Sequence, residues 1–329
     1  MEPTIGTPAL WVGFIAFVLV MLALDLGVFH RKDHVISVRE AAIWSAIWVG
    51  ISLLFAAGMW AFASPTHGIE FLTGYVIEKS LSIDNIFVFV IIFQRMKIPA
   101  ELQHRVLYWG VLGAIVLRAI MIVAGAAMLA NFHWLIYLFG VFLLYTGIKI
   151  FLDWRKERDG VVPDAEHDTE SMIMRFTKRF VRTTPELDGH NFFTVQNGVR
   201  LATPLLLTLV LVELSDVVFA LDSIPAIFSV TLDPFIVFTS NIFAIMGLRS
   251  LYFLLGPMLE KFHYLKVGLS IVLGFVGLKM LVGDLVKDHL WAGGIPSWLS
   301  LAVIALILGV SIAYSIRHAA ASDQSRPRG

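Results

Sequence analysis

The sequence predicts an all-α polytopic membrane protein of about nine transmembrane helices, in which spans 3–5 and 6–8 form two inverted three-helix repeats. Three observations carry this. Hydrophobic residues make up 58% of 329 positions and charged residues only 15%, where soluble domains average roughly 25% charged. The apolar stretches each run about 20 residues, enough for a helix to cross a ~30 Å hydrocarbon core, and they lack the alternation of a barrel strand. Finally, a set of polar landmarks occurs twice in the same order.

Span 1, at 8–28, has no basic residue ahead of it and no small-residue cleavage motif behind it, since LDLGVFHRK follows. It reads as a retained helix and not as a signal peptide. The remaining spans cover 41–63, 71–94, 106–129, 135–152, 201–228, 235–255, 265–284 and 297–316. The chain divides accordingly into an N-terminal two-helix addition (1–70), a first membrane repeat (71–152), a cytoplasmic loop (153–200), a second membrane repeat (201–284), and a C-terminal helix with a cytoplasmic tail (285–329).

Basic residues orient the helices, because cytoplasmic loops collect Lys and Arg. Nineteen of the 25 basic residues follow spans 1, 3, 5, 7 and 9, with Lys266 at the edge of span 8 counted among them, five lie deeper inside spans, and the alternate connections hold only Lys287. The N-terminus is expected outside and the C-terminus in the cytoplasm. The loop at 153–200 carries eight of these residues. Its piece SMIMRFTKRFVR alternates apolar and basic residues at helical spacing, which fits either an interfacial helix on anionic lipid or a solvated basic loop. His167 and His190 stand there without partners at metal-ligand spacing and read as surface residues.

The chain has no cysteine, which removes disulfides, thiol redox chemistry, thiolate zinc sites and iron–sulfur clusters. Its formal net charge of zero, with no soluble basic domain, argues against a nucleic-acid partner.

The repeat is read from EKSLSIDNI in span 3, which a shift of 138 residues lays over DVVFALDSI in span 6. Glu78 meets Asp216, Asp84 meets Asp222, and Asn85 meets Ser223. In the next span GAIVLRAIMIVAG aligns with AIMGLRSLYFLLG at a shift of 131, pairing Arg118 with Arg249 and Gly125 with Gly256. After a one-residue gap, FHW at 132 meets FHY at 262 and GIK at 147 meets GLK at 277. A three-span unit makes the second copy enter the membrane from the opposite side, as in secondary transporters whose substrate lies between the copies.

Apart from Lys266 and Asp284 at the two ends of span 8, six acids (Asp25, Glu78, Asp84, Glu213, Asp216, Asp222) and five bases (Lys79, Arg118, Lys149, Arg249, Lys279) fall inside spans. Each costs at least ~2.5 kcal/mol at a helix centre, so such residues persist where they are paired, hydrated or used. Snorkelling accounts for Lys149 and Lys279, and the nearby HRK accounts for Asp25. Arg118 and Arg249 are deeper, and each is expected to pair with a motif carboxylate. The acids could exist only to neutralise these bases. Against that, three deep bases (Lys79, Arg118, Arg249) face five acids, and a surplus of two carboxylates invites a cation or protons.

At ~100° per residue, Glu78, Ser82 and Asn85 share one helix face, as do Asp216 and Ser223, with Asp84 and Asp222 turned roughly 120° away. Pro225 is expected to kink or open span 6 beside Asp222 and so free carbonyl oxygens. The ligands on offer are carboxylate, amide, hydroxyl and backbone oxygen, a hard set that suits Mg, Ca and Mn.

The segments GTPALWVGF, FLTGYVIEKSLSIDNIFVF, VLGAIVLRAIMI, TPLLLTLVLVELSDVVFALDSIPAIF, DPFIVFTSNIFAIMGLRSLYFLL and GLKML resemble the TerC family, particularly its Alx branch, over most of residues 5–316. The resemblance implies a bacterial inner-membrane protein with manganese export as the better supported activity, in a family also associated with tellurium-resistance clusters. It implies that Glu78, Asp84, Asn85, Glu213, Asp216, Asp222 and Asn241 are the polar membrane positions, with Ser223 added by its place in the repeat. Lys79, Arg118 and Arg249 are the supporting ion pairs.

The leading expectation is therefore a secondary transporter that exports a divalent cation, Mn2+, with no permanently bound cofactor. Protons serve as the expected counter-ion, because a carboxylate site binds them competitively. A non-transporting membrane partner or assembly factor is the rival, with membrane-protein partners left open. A tellurite carrier fits poorly because the surplus charge is negative. No enzymatic activity is expected, because no Cys, motif His or nucleophile elbow is present.

Overall fold

The computed structural model describes residues 4–27, 36–132, 134–158, 183–184, 186–196, 198–256, 264–289 and 297–324. Ten helices and one hairpin occur among them: α1 (Pro8–Gly27), α2 (Val38–Phe62), α3 (Pro65–Arg95), α4 (Ala100–Asn131), α5 (Leu135–Arg158), β1 (Phe193–Gln196), β2 (Val199–Ala202), α6 (Pro204–Phe228), α7 (Pro234–Met246), α8 (Leu248–Leu255), α9 (Leu265–His289) and α10 (Ser297–Gln324). Helices thus stand at all nine predicted positions. By length and apolarity five of the described helices can cross a membrane, or six if the bent pair α7–α8 counts as one span. The described apolar part of α1, Pro8–Leu24, is shorter, and α3 is interrupted by the charges of its motif.

Four of these helices open on proline, at Pro8, Pro65, Pro204 and Pro234. A ring there costs no hydrogen bond, because the first-turn N–H has no partner inside the helix. Ser37 caps α2 by accepting from the Glu40 N–H, and Asp233 caps α7 by accepting from the Phe235 N–H at 2.8 Å.

The α7 helix sits at the centre, with every residue from Phe235 to Met246 buried, the polar Thr239, Ser240 and Asn241 among them. Phe14 of α1, Phe55 of α2 and Phe71 of α3 all close on Phe243 of α7, with ring centroids 4.9 to 5.7 Å apart. Around this centre α3 packs on α6 and α7, α4 on α6 and α7, and α5 on α9. The α5–α9 seam is close because glycines line it. A Cβ added at Gly147 would lie 2.8 Å from the Ser270 carbonyl oxygen, and one at Gly277 would lie 2.7 Å from that of Gly140. Small residues of this kind are what let helix backbones approach in a membrane.

Several helices run a few residues past the predicted spans, α3 starting at Pro65 and α4 at Ala100, and three further features depart from the sequence reading. Span 6 starts at Pro204 and not at 201, because Val199–Ala202 pairs antiparallel with Phe193–Gln196. Span 7 is not continuous: α7 and α8 are bent by 41° at Gly247. Conversely α6 runs through Pro225 to Phe228. Pro225 falls in the last turn, where little helix remains to be opened. The stretch 171–182 lies outside the described residues.

Candidate functional site

The motif of α3 and its counterpart on α6 meet at the guanidinium of Arg118, which projects from α4 and is 1% exposed. Arg118 Nε donates to Asp216 Oδ2 at 2.9 Å and Nη2 to Asp216 Oδ1 at 2.7 Å, a two-point fork. Its Nη1 donates to Glu78 Oε1 and, at 3.3 Å, to Asn241 Oδ1. The Asn241 amide in turn donates to Glu78 Oε2 at 3.1 Å, and the Asn85 amide donates to Asp216 Oδ1 at 3.3 Å.

Five buried side chains from α3, α4, α6 and α7 therefore form one network. A charge-assisted fork of this geometry is among the stronger hydrogen-bonded pairs, and a guanidinium, which stays charged, needs such partners when buried. The formal charge of Glu78, Asp216 and Arg118 together is negative by one.

Not every polar atom is used. Asn85 Oδ1 and Ser223 Oγ are buried with no hydrogen-bond partner among the described residues, and both residues are 1% exposed. Contact between Asn85 and Asp216 sets the antiparallel register of α3 on α6, and equal helical rise then puts Ser223 level with Glu78. Glu213 stands one turn before Asp216, and its Oε2 is also buried without a partner. Its carboxylate occupies the space left by Gly113 of α4, where an added Cβ would collide with it.

Asp222 faces elsewhere. Its Oδ1 accepts from Thr146 Oγ1 of α5 at 3.3 Å, and Lys149 is its charged neighbour. Asp216 and Asp222 thus look toward different helices, in line with their angular separation on α6. The side chain of Asp84 lies outside the described residues, and so does that of Asp25. Arg249 is half-buried on α8, just beyond the break. Lys79 on α3 reaches a carbonyl of α7, with Nζ donating to Ala244 O at 3.3 Å.

Of the sequence-predicted residues, the structure brings together Glu78, Asn85, Asp216 and Asn241 around Arg118. It sets Glu213 beside them and Asp222 apart. Among the described residues no group of three or more His, Asp and Glu side chains is arranged to hold a metal ion. Thr146 and Gly113 were not singled out in the sequence. The repeat does not mark Thr146, while Gly113 opens the aligned GAIVLRAIMIVAG segment.

The model of the "Integral membrane protein TerC family" matches residues 63–323. The chain belongs to the TerC family. An "Uncharacterized membrane protein" of Myxococcus xanthus is 59% identical over 329 residues, covering 99% of this chain and 98% of that protein. The "Putative membrane-bound redox modulator Alx" of Photorhabdus laumondii is 48% identical over 322 residues, 95% of this chain and 96% of that protein. The protein of the same name from Escherichia coli is 47% identical over 314 residues, covering 93% of each chain. No solved structure matches. The Alx resemblance is thus borne out, and with it an integral membrane protein built of helices.

Proposed function

We propose that this TerC-family protein is a secondary transporter of the bacterial inner membrane that exports Mn2+, with protons as counter-ion and the C-terminus in the cytoplasm. The observation that carries the reading is the meeting of Glu78 and Asp216, equivalent acids of two repeats, in one buried network bordered by the unused oxygens of Asn85, Ser223 and Glu213. Carboxylate, amide and hydroxyl oxygens are the donor set of a hard divalent cation.

Reciprocal packing supports the inverted repeat. In the alignment of GIK with GLK the shift is 130 residues. Gly147 abuts Ser270 and Gly274, while Gly277 abuts Gly140 and Leu144. Those two pairs of neighbours are themselves related by the same shift, as a twofold exchange of the copies requires. Likewise α3 packs on α7 as α6 packs on α4.

In the arrangement seen, Arg118 and Asn241 take all four oxygens of Glu78 and Asp216. A cation entering here draws first on the unused oxygens, and reaches the two carboxylates only when Arg118 moves. That full internal pairing is also what favours the second reading, a non-transporting membrane partner whose charges serve helix packing. Redox modulation, the role in the names of the Alx relatives, has no thiol route in a chain without cysteine.

Mn2+ uptake into inside-out vesicles tests the reading, with the parent chain compared with Glu213→Gln and Asp216→Asn at equal expression. Flux in the parent and its loss in both variants is expected. No flux, or equal flux in all three, sends the carboxylates back to helix pairing and favours the second reading.

A further inference from the structure

The two repeats differ at one place that the transport reading leaves unexplained. In the alignment of GAIVLRAIMIVAG with AIMGLRSLYFLLG, Val116 corresponds to Gly247. The α4 helix runs unbroken through Val116, whereas the equivalent span breaks at Gly247 into α7 and α8. The partner helix differs at the corresponding place as well. Lys79 on α3 corresponds to Val217 on α6 at the shift of 138.

These two departures meet. A break leaves the last carbonyls of α7 without intrahelical partners, and because α7 is buried on all sides water cannot serve them. Lys79 Nζ donates to one of them, Ala244 O, at 3.3 Å. A cation there also complements the negative end of the α7 dipole. The fit depends on glycine at the break: a Cβ at position 247 would stand 2.7 Å from Lys79 Nζ and 3.3 Å from Trp48 Cβ.

The contact continues along the same seam. One turn earlier on α7, Asn241 is bonded to Glu78, the residue before Lys79, and to Arg118. A further turn along α3, Gly74 lies against Ser240, whose Oγ would be 2.9 Å from an added Cβ. Successive residues of α3 therefore hold α7 at its carbonyl end and at the network. The seam between α6 and α4 has neither the break nor the lysine.

We propose that the α3–α7 seam is the gate of the cation path and that Lys79 is its latch, a positioning residue whose tethered ammonium occupies the carbonyl end of α7 and holds the half-helix closed about Gly247. The assignment rests on the transport reading. Only one seam carries the latch, so the two sides of the site open unequally. A divalent cation that engages Glu78 disturbs the Asn241 contact, and the latch then holds the carbonyl end of α7 to α3.

The absence of cysteine makes an introduced thiol the sole target of N-ethylmaleimide. Ser240→Cys, at a position fully buried in the seam, reports its opening, and Ser270→Cys, buried between α9 and α5, reports general loosening. Lys79→Met is expected to speed labelling at position 240 about tenfold, the scale of losing one charge-assisted hydrogen bond, and to leave position 270 unchanged. Gly247→Ala, which displaces the ammonium while keeping its charge, is expected to act in the same direction.

Unchanged labelling at position 240 in both variants, or an equal rise at positions 240 and 270, overturns the latch. MnCl2 is expected to speed labelling at position 240 in the Ser240→Cys protein with Lys79 intact, and to add little in Lys79→Met. Latch effects that persist with no response to MnCl2 uphold the latch and count against the transport reading, so the two fail separately.

Discussion

Arg118 and Asp216 are joined at two points, Nε to Oδ2 at 2.9 Å and Nη2 to Oδ1 at 2.7 Å, with both residues buried. Lysine cannot reproduce that fork, because its ammonium is a point charge. Arg118→Met strands two buried carboxylates and is expected to cost about 3–5 kcal/mol. Arg118→Lys should recover only part of this. Thermal unfolding in detergent measures both, and adding Asp216→Asn to Arg118→Met should restore some stability by removing one stranded charge. Equal unfolding temperatures for parent and Arg118→Met would show that the network does not hold the helices.

The seam between α5 and α9 gives a second prediction. Gly147→Ala and Gly277→Ala each drive a Cβ to within 2.8 Å of opposing backbone, and overpacking of this kind costs about 1–3 kcal/mol. Gly274, on the same helix as Gly277, has nothing within 4 Å of an added Cβ. Gly274→Ala should therefore be neutral or mildly stabilising. The three unfolding temperatures, compared under one detergent condition, separate close packing from a general intolerance of larger residues.

Much of this was legible in the sequence, for identifiable reasons. Apolar runs near 20 residues locate helices because a bilayer demands them. EKSLSIDNI and DVVFALDSI mark the network because unpaired charge is costly in such a run. The angular separation of Asp216 and Asp222 also follows from helical pitch alone. The break at Gly247 does not, since a lone glycine is tolerated inside many helices. Pro225 is the stronger breaker in principle, but its place in a last turn blunts its effect.

The partner of Lys79 is a backbone carbonyl, and a count of acids against bases cannot reveal it. The hairpin, in contrast, carries a readable sign. Asn197 and Gly198 form an Asn-Gly pair between FTVQ and VRLA, a strong short-range hairpin signal. In a loop otherwise rich in charge, that signal was masked by composition.

A third prediction concerns the entrance to α7. Asp233 accepts from Phe235 N at 2.8 Å, Thr4 Oγ1 at 2.7 Å and Ile5 N at 2.7 Å, so one carboxylate caps the helix and ties down the N-terminal segment. Asp233→Ala should cost about 1 kcal/mol through the cap. Hydrogen exchange should rise at Ile5 and at the first turn of α7 together. A rise at one without the other would mean that the two are not held by the same side chain.

The hairpin supplies the last prediction. Gly198 has φ of +75°, and the register pairs Gln196 with Val199 across a two-residue loop. A β-branched residue at such a φ is strained, whereas asparagine accepts left-handed backbone readily. Gly198→Val is therefore expected to destabilise the hairpin by about 1 kcal/mol or more, and Gly198→Asn by much less. The hairpin leads straight into Thr203 and α6, and the Thr203 N–H donates to Phe192 O at 3.0 Å. Loosening it should expose the connection to protease before the membrane helices unfold. Limited proteolysis of the three proteins, with cleavage mapped to residues 183–203, reads this directly: faster cutting in Gly198→Val alone is the expected order, and equal rates would mean that the turn is not what holds the connection.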